Sequence, residues 1–533
     1  MERLCNEYGL LANDEGVVRV PFLVKGKLVA PAEISKPQIE AAFSDVDKKT
    51  TSVKLADVQV IREPVIDRKT MKYTGEYVYQ VMPLLIGTEL VETDTDRLTG
   101  ELYALSVEDI LDYLETVLST LLVNKKLALQ VREICRLTSE YPDALLDGWF
   151  ASFHASFSRE AGRQMIDREL SFQGKPGSDF LNGWVEIPAD VSPGWLHLHA
   201  CNLFGENVTA GVESTKSYIR AMPTRQLHIT AGNAPEVPLV SALRAVLTKS
   251  AAVIKLPYGA TLPGALFALA AAAAVPDHLI TKNLSMVYWP GGDESIENIL
   301  LMPGAFDRIV VWGSPETVAS VQFRALFTRV IYLNPRYGVS LIGGEAFRNL
   351  EEVAAKASLD VMLYNQKACT SSLVQYVEGT EEQANEYAGA LCKALGKWDK
   401  EMPNFVSPSA IGQLKRLRRG KYANARWYIN NRSGEFSSGV AVVPGEFDIL
   451  DHPMCQLVVV RSVANLEDAF KYLNQYVSTA GLYPEERRLK LRDKILARGV
   501  SNIFPLGQCE RVYAGMPHDG MRILSELVDW KNA

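Results

Sequence analysis

The chain has 533 residues, of which 47% are hydrophobic and 22% charged, so its composition is that of a folded protein and excludes extended disorder. At roughly 150 residues per domain, this length predicts several folding units and excludes a small module with one core. Its 56 Lys and Arg residues against 63 Asp and Glu residues give a net charge of −7, so we expect no nucleic-acid partner.

Cysteine usage and hydropathy bear on where the protein works. The seven cysteines are scattered and form no CxxC pair, which predicts reduced thiols and a cytoplasmic protein. The opening residues carry charges where a signal peptide needs an apolar stretch. The longest apolar run, residues 264–275, is shorter than the roughly 20 residues that span a bilayer. We therefore expect neither secretion nor a membrane span.

The first part of the chain is predicted to be rich in β-structure and then helical. Residues 17–90 contain many Val, Ile and Tyr residues, and turn signals at residues 25–27 and 73–75 predict hairpins in an antiparallel sheet. From Ser106, a capping box with Asp109 precedes apolar residues at helical spacing, which predicts helices to about residue 157.

Residues 227–334 predict a doubly wound parallel sheet. Short β-branched runs alternate with helix-like segments four times, and continuous apolar strands of this kind are typical of parallel sheets covered on both faces. Such sheets bind ligands at the carboxyl ends of their strands. The residues predicted to lie at those ends are Gly232, Asn233, Lys255, Gly291, Gly292, Gly313 and Ser314.

Two features leave the ligand of this sheet open. Ser314 followed by Pro315 predicts a helix N-terminus whose free backbone N–H groups suit a phosphate. The GxGxxG fingerprint of ordinary dinucleotide sites, however, is absent. The residues alone therefore favour a nucleotide cofactor only modestly over some other ligand.

Cys369 is the cysteine whose surroundings favour chemistry over packing. It lies among small and polar residues, two positions after Lys367, and the polar residues that follow it predict the start of a helix. A helix N-terminus or a neighbouring cation lowers the pKa of a thiol and produces the nucleophilic thiolate. The alternative, a small core residue, is the interpretation for the other six cysteines.

Four segments of the chain resemble, in the same order, the LuxC-type fatty acyl-CoA reductases of the aldehyde dehydrogenase superfamily. They are ITAGNAPEVPL at 229–239, DRIVVWGSPE at 307–316, NQKACTSS at 365–372 and GMPHDGMRILSELVDW at 515–530. The resemblance implies an aldehyde dehydrogenase-like α/β fold. It would consist of a doubly wound cofactor domain, an α/β domain with the catalytic cysteine, and a β-rich N-terminal region.

The resemblance also implies a division of the chain. Residues 1–333 would form the N-terminal region and the cofactor-binding domain, with its Rossmann-like part at about 225–333. Residues 334–505 would form the catalytic cysteine domain, and residues 506–533 a return segment that is a candidate oligomer contact.

The implied activity is that of an acylating reductase. A long-chain acyl-CoA, or another acyl-carrier thioester, and NADPH would give an aldehyde, a free thiol and oxidised cofactor. A homo-oligomer and an acyl-activating partner enzyme are implied as well. Two alternatives remain: an acyltransferase or thioesterase that uses the same acyl-cysteine without hydride transfer, and a non-catalytic scaffold subunit of a fatty-acid reductase complex.

Catalytic roles for two residues follow from the resemblance. Cys369 is implied as the nucleophile that attacks the thioester carbonyl and forms an acyl-enzyme. Asn233 is implied as a donor to the tetrahedral oxyanion, together with the backbone N–H of Cys369. Taken without the resemblance, Asn233 after Gly232 is equally consistent with a turn residue.

Two departures from the superfamily bear on the reaction. Dehydrogenases that release acids carry a water-activating glutamate in an ELGG segment, and the matching stretch, residues 340–344, has Leu341 at that position. Its absence favours reduction over hydrolysis. Lys255 is implied at the adenosine ribose, and residues 256–259 contain no acid beside it. We therefore expect Lys255 to meet a 2′-phosphate, which favours NADPH over NADH.

Four further residues receive no firm role from the sequence. Asp451 and His452 lie where the superfamily has a glutamate at the nicotinamide ribose. His518 and Asp519, in the PHDG segment, are interpreted as a structural turn whose Asp accepts backbone N–H bonds. No set of residues has the spacing of metal ligands, so we expect no metal site.

Overall fold

The computed structural model describes residues 1–94, 101–188, 195–205, 217–399 and 401–533. Its N-terminal region contains the predicted β-structure, and five of its strands form a sheet in the order β1-β2-β7-β6-β5. The elements are α1 (Glu2–Tyr8), β1 (Asn13–Asp14), β2 (Val17–Arg19), β3 (Phe22–Val24), β4 (Lys27–Val29), α2 (Lys36–Ser44), β5 (Ser52–Lys54), β6 (Val58–Asp67), β7 (Lys72–Pro83) and α3 (Gly87–Leu90).

One predicted turn of this region is confirmed and the other is wrong. The first hairpin turns at residues 25–26, between the antiparallel strands β3 and β4. The second turn lies at residues 68–71, between β6 and β7, and Gly75 lies inside β7. The pairing of β6 with β7 is irregular between Pro64 and Ile66. Glycine inside a strand commonly marks such an irregularity, so Gly75 does not form the turn that its residue type predicts.

A helical region begins at the predicted capping box. Ser106 Oγ accepts a hydrogen bond from the Asp109 backbone N–H at 3.1 Å, and the Asp109 carboxylate accepts one from the Ser106 N–H at 2.8 Å. Behind this cap, one apolar face of the first helix is buried. The helices of the region are α4 (Val107–Val123), α5 (Lys125–Thr138), α6 (Asp143–Ser156), α7 (Arg159–Glu169) and α8 (Gly177–Asn182).

The predicted parallel sheet follows and is confirmed. Its strands lie in the order β14-β13-β10-β11-β12, all parallel, and the β3-β4 hairpin extends it beyond β12. The largest apolar core lies between this sheet and helices that include α4, α5, α10 and α11. The elements are β10 (Arg225–Ile229), α10 (Val237–Leu247), β11 (Ala251–Lys255), α11 (Thr261–Ala274), α12 (Leu279–Lys282), β12 (Leu284–Val287), α13 (Glu294–Leu300), β13 (Arg308–Trp312), α14 (Pro315–Arg324) and β14 (Arg329–Leu333).

Another seven-stranded sheet, here called the cysteine sheet, follows in the chain. Its order is β17-β18-β19-β16-β15-β20-β21, and all neighbours are parallel except β17 and β18. One apolar core covers each of its faces. The elements are β15 (Tyr337–Ile342), α15 (Leu350–Met362), β16 (Ser372–Glu378), α16 (Glu381–Trp398), α17 (Pro408–Arg419), β17 (Arg426–Arg432), β18 (Glu435–Val442), β19 (Leu457–Val463), β20 (Val477–Tyr483), α18 (Glu485–Leu496) and β21 (Asn502–Pro505).

The C-terminal segment returns to the first half of the chain. Its last strand pairs with β9, so that a three-stranded sheet forms in the order β22-β9-β8. The remaining elements are β8 (Val185–Ile187), α9 (Trp195–Phe204), β9 (Ser217–Met222), α19 (Ile523–Leu527) and β22 (Asp529–Asn532). Within the described ranges, every helix is too short or too polar to cross a membrane.

Candidate active site

The candidate active site lies where the two seven-stranded sheets meet. Asn233 follows β10 at the carboxyl edge of the first sheet, whereas Cys369 precedes β16 at the amino edge of the cysteine sheet. The Asn233 side chain bridges the two, because its Nδ2 donates a hydrogen bond to the Lys367 carbonyl at 3.2 Å. The structure thus brings the Asn233 amide to the loop that carries Cys369.

Close contacts on the other side hold the backbone at Asn233. The Tyr141 hydroxyl, between α5 and α6, donates a hydrogen bond to the Asn233 carbonyl. A Cβ at position 232 would collide with the carbonyl oxygen of Tyr258, so this approach of the two loops requires glycine. Asn233 therefore lies in a bend, as the turn interpretation has it, and its side chain also reaches the cysteine loop.

The backbone before Cys369 is unusual. Tyr364, Asn365 and Gln366 have consecutive positive φ angles of 45°, 54° and 63°, which non-glycine residues rarely adopt. Each side chain is tied to a different part of the molecule. Tyr364 donates to Glu236 Oε1 at 2.6 Å, Asn365 to the Phe405 carbonyl at 3.0 Å, and Gln366 to the Leu457 carbonyl at 2.7 Å. These bonds hold a strained loop in place, as is common at functional sites.

The predicted activation of Cys369 by a helix and by Lys367 is wrong. No helix follows Cys369, since β16 begins at Ser372, and Lys367 instead forms an ion pair with Glu140. Burial raises the pKa of the Cys369 thiol to about 11. A water-poor environment disfavours the charged thiolate, and this effect outweighs the favourable interactions around the sulfur.

The PHDG segment reaches this site from the C-terminal return. Its turn is confirmed, because the His518 and Met521 backbones exchange two hydrogen bonds of 2.9 Å. The Asp519 carboxylate, however, pairs with Arg336 Nε at 3.4 Å rather than with a backbone N–H as expected. His518 Nδ1 lies 2.9 Å from Arg244 Nη2, and burial lowers the pKa of His518 to about 3, so its imidazole is neutral.

Lys255 ends β11 and is buried against aromatic rings. Its Nζ lies 5.6 Å and 5.3 Å from the ring centroids of Tyr288 and Trp289. Burial lowers the pKa of the Lys255 ammonium to about 8, an effect that Glu297 partly offsets. Among the described residues, no hydrogen bond or ion pair satisfies this ammonium. A buried cation of this kind suits an anionic ligand.

The four remaining predicted binding residues lie in loops at the same edge of the sheet. Gly291 and Gly292 follow β12, and Gly292 has a φ of +82°. Gly313 and Ser314 follow β13, and Ser314 Oγ caps α14 by accepting a hydrogen bond from Thr317 N at 3.4 Å. The N-terminus of α14 therefore lies where the sequence predicts it, at the carboxyl end of a parallel strand.

Acidic groups lie nearer to Lys255 than the sequence suggests. Residues 256–259 contain no acid, but Glu297 comes from α13 and accepts a hydrogen bond from Gly292 N at 3.1 Å. Arg324 pairs with Glu297 and compensates its charge. On the far side of the loop, Glu63 accepts a hydrogen bond from Gly259 N at 3.1 Å. Both carboxylates belong to segments distant from Lys255 in the sequence, so no local sequence pattern predicts their position.

The predicted position of Leu341 is wrong. It lies inside β15, fully buried and opposite Tyr376 of β16, which is seven residues beyond Cys369. Tyr376 is four residues beyond Ser372, where β16 begins, so at about 3.3 Å per residue Leu341 lies roughly 13 Å along the sheet from the end that adjoins Cys369. The residues at the cysteine's edge of β15 are Asn334, Pro335 and Arg336, and none of them is acidic.

Asp451 and His452 have structural partners. The Asp451 carboxylate accepts hydrogen bonds from Lys421 Nζ at 2.8 Å and from the Tyr422 hydroxyl at 3.0 Å. His452 is buried and accepts a hydrogen bond from Met454 N at 3.0 Å, and burial lowers its pKa to about 4. These contacts account for both residues by packing and local order.

Sequence analysis missed several groups around the cysteine loop. Tyr141, Glu236, Arg336 and Ser478 come from four separate segments and meet only in the fold. No motif spacing links all four. A sequence signal existed for Glu236, which lies in the quoted segment 229–239, and for Arg336, a charge in the short linker before a buried strand.

The family of the chain follows from comparison with known proteins. Residues 212–530 match the family model described as acyl-CoA reductase (LuxC), which covers more than half of the chain and includes Asn233, Lys255, Cys369 and Asp519. The chain belongs to this LuxC family. The prediction made from four short segments is thereby confirmed.

Relatives and solved structures agree with this assignment. A long-chain acyl-protein thioester reductase of Photorhabdus laumondii is 28% identical over 374 residues, which are 65% of this chain and 74% of that protein. One from Vibrio harveyi is 27% identical over 324 residues, 58% of this chain and 64% of that protein. An NADP-dependent glyceraldehyde-3-phosphate dehydrogenase of Bacillus halodurans, solved with NADP, matches with a TM-score of 0.66, 14% identity and coverage of 96% and 98%. The LuxC chain therefore has the aldehyde dehydrogenase fold, as expected.

Proposed function

We propose that this LuxC-family chain reduces a long-chain acyl-CoA thioester to the aldehyde and releases CoA, through an acyl-enzyme on Cys369. The observation that carries the proposal is the hydrogen bond from the Asn233 amide to the Cys369 loop, at the ligand-binding edge of a parallel sheet. The similarity to thioester reductases supports the same reaction class.

The first step is transfer of the acyl group to the protein. The Cys369 sulfur attacks the thioester carbonyl, the bond from carbon to the CoA sulfur breaks, and the thiol proton leaves with the CoA thiol. An amide nitrogen carries two hydrogens, so one Asn233 Nδ2–H remains for the oxyanion while the other bonds to the Lys367 carbonyl. The backbone N–H of Cys369 is the second proposed donor.

The cofactor proposal rests on the fit of the loops at the carboxyl edge. The unsatisfied ammonium of Lys255 suits the 2′-phosphate of NADPH, and Gly291, Gly292, Gly313 and Ser314 would hold the rest of the dinucleotide. NADPH held there would supply the hydride that reduces the acyl group to the aldehyde, and the bond between the acyl carbon and the Cys369 sulfur would break to release the enzyme thiolate. Arg324 compensates the charge of Glu297, the acid that acts on Lys255.

A division of labour accompanies this function. We assign cofactor binding to residues 1–333, the nucleophile to residues 334–505 and a candidate oligomer contact to the return segment, residues 506–533. The chain would act as a homo-oligomer beside an acyl-activating enzyme, because its substrate is an activated acyl group. In this scheme, either CoA or a carrier protein delivers the thioester.

One assay separates the proposed reaction from its alternatives. Purified protein is mixed with a chain-length series of acyl-CoA, NADPH absorbance is followed, and labelled acyl on Cys369 is detected on a gel. Consumption of NADPH with labelling supports the reductase. Labelling without consumption identifies an acyltransferase or thioesterase, and absence of both identifies a scaffold. Cys201→Ala, at another partly exposed cysteine, is the matched labelling control.

A further inference from the structure

The C-terminal turn places a charged pair beside the catalytic cysteine. Arg336 Nε and Asp519 Oδ1 lie 3.4 Å apart, and the two side chains are only 16% and 5% exposed. Arg336 is anchored through Nη1, which donates to Ser501 Oγ at 2.8 Å. Such burial strengthens the influence of both charges on neighbouring groups, since little water screens them.

The backbone fixes this pair near Cys369. Arg336 directly precedes β15, whose Gly338 N donates to the Ser371 carbonyl at 2.8 Å, two residues after the cysteine. A Cβ at position 338 would collide with the Thr370 carbonyl oxygen, so the two strands approach without space for a side chain. Arg336 and Cys369 therefore lie at the same edge of adjacent strands.

We propose that Asp519 and Arg336 jointly set the ionisation of Cys369, with Asp519 opposing the thiolate and Arg336 favouring it. Both residues act on the reaction only indirectly, through the effect of their charge on Cys369. This inference rests on the proposed role of Cys369 as nucleophile. Asp519, from the last segment of the LuxC chain, would thereby add to burial in holding the nucleophile as a thiol in the resting enzyme, which protects it from stray electrophiles and oxidants.

Other groups around the sulfur are consistent with this assignment. Burial is the largest effect that raises the pKa of Cys369, and Asp519 adds to it, while a hydrogen bond with Ser478 of β20 and the charge of Arg336 lower it. Lys367, in the loop of the cysteine, is committed to Glu140. Burial raises the pKa of Asp519, and the guanidinium groups of Arg336 and Arg244 partly offset this effect. The adjacent His518 is neutral. Asp519 and Arg336 are thus the charges that act on the thiol.

The test is the pH dependence of Cys369 alkylation by iodoacetamide, without substrate or cofactor, read by mass spectrometry of the Cys369 peptide. The midpoint is compared rather than the rate, because the intrinsic nucleophilicity of a thiolate falls with its pKa. Removing one neighbouring charge should move the midpoint by about one pH unit. Asp519→Asn should lower it and Arg336→Met should raise it.

Controls separate charge from structure. Asp519→Glu keeps the charge and should restore the midpoint, and Asp529→Asn removes a carboxylate of the same segment that pairs with Arg308 instead. Asp519→Ser replaces Asp519→Asn if the latter unfolds. If the Asp519 variant fails to lower the midpoint, or Arg336→Met fails to raise it, the inference is overturned. Absence of acyl labelling on Cys369 would instead contradict the proposed function.

Discussion

Among single residues, Cys369 carries the proposed covalent step. Cys369→Ser should abolish acylation and aldehyde formation and leave NADPH affinity nearly unchanged, because the sulfur forms the covalent bond and does not belong to the carboxyl edge that would hold the cofactor. Acyl labelling and NADPH titration by fluorescence measure the two effects. Cys392→Ala, at a buried cysteine of α16, should retain activity. Substantial turnover by Cys369→Ser would remove the assignment.

The oxyanion donor gives a second prediction. Asn233→Ala should lower kcat by roughly 10² to 10³ through loss of one donor to the developing oxyanion. The side chain is exposed and makes one neutral hydrogen bond, so the free energy of unfolding should fall by only about 1 kcal/mol. Steady-state kinetics and urea unfolding measure the two. A variant that unfolds with little change in kcat would favour the turn interpretation.

Cofactor choice gives a third prediction. Lys255→Ala should raise the KM for NADPH far more than that for NADH, because only NADPH carries the 2′-phosphate. Lys255→Arg keeps the charge and should retain part of the preference. Parallel kinetics with both cofactors provide the measurement. An equal rise in the KM for NADPH and the KM for NADH would show that Lys255 does not contact the 2′-phosphate and interacts with Glu297 instead.

These residues show which properties of the candidate site can be predicted from local sequence. Cys369 and Asn233 could be proposed as site residues because each lies in a short segment with a recognisable composition. The ionisation of Cys369 could not, because it depends on burial and on Asp519, which lies 150 positions further along the chain. The same holds for Lys255, whose acidic neighbour Glu297 comes from a different helix. Local patterns indicate candidate side chains, and the tertiary fold determines their charge.

At the scale of elements, Asp360 connects α15 with the loop after β21. Its carboxylate accepts hydrogen bonds from Gly507 N at 2.8 Å and Cys509 N at 3.0 Å, and burial raises its pKa from 3.8 to about 6. A folded pKa above the unfolded value means that the folded state binds the proton more tightly. The stability from this group is therefore full below pH 3.8 and is lost as the pH rises through 6.

Asp360→Asn should remove that pH dependence. The free energy of unfolding of the wild type minus that of the variant should fall by up to about 3 kcal/mol as the pH rises from 4 to 7. Urea unfolding at several pH values measures it. Asp67→Asn is the control with the opposite sign, because hydrogen bonds from Thr70 lower the pKa of Asp67. A pH-independent difference for Asp360→Asn would contradict the prediction.

Elements were predictable where periodicity and capping agreed. The units β10 to β14 combine continuous apolar strands with helices, and α4 begins at its capping box. The loop before Cys369 was not predictable, because its three positive φ angles occur at non-glycine residues and depend on bonds to Glu236, Phe405 and Leu457. The helix predicted after Cys369 is absent for another tertiary reason: the chain there forms β16, which is fixed by pairing with β15 and β19.

At the scale of the whole molecule, Arg308 joins the parallel sheet to the C-terminal return. It donates to the Glu526 carbonyl at 3.0 Å and the Val528 carbonyl at 3.1 Å, and pairs with Asp529 at 2.7 Å. Arg308→Met removes the donor to both carbonyls and leaves Asp529 paired with Lys531, so the free energy of unfolding should fall by about 2 to 5 kcal/mol.

Hydrogen exchange provides the localised readout for this variant. The amides of α19 and β22 should exchange faster in Arg308→Met than in wild type, ahead of global unfolding. Arg329→Met is the matched control, because Arg329 is half exposed and pairs at the surface with Glu526, so its removal should cost less than about 1 kcal/mol. Equal effects of the two variants would show that Arg308 does not hold the return segment.

The arrangement of the sheets also governs how the chain is made. Strand β3 pairs with β12, so Leu23 is synthesised long before its partner Met286. Strand β9 is likewise synthesised long before its partner strand near residue 530. At 5 to 20 residues per second, Leu23 emerges roughly 13 to 50 s before its partner. During that interval the apolar N-terminal hairpin has no sheet to join. We therefore expect the nascent chain to need chaperone protection early in translation and to complete its site only after Asp519 has left the ribosome.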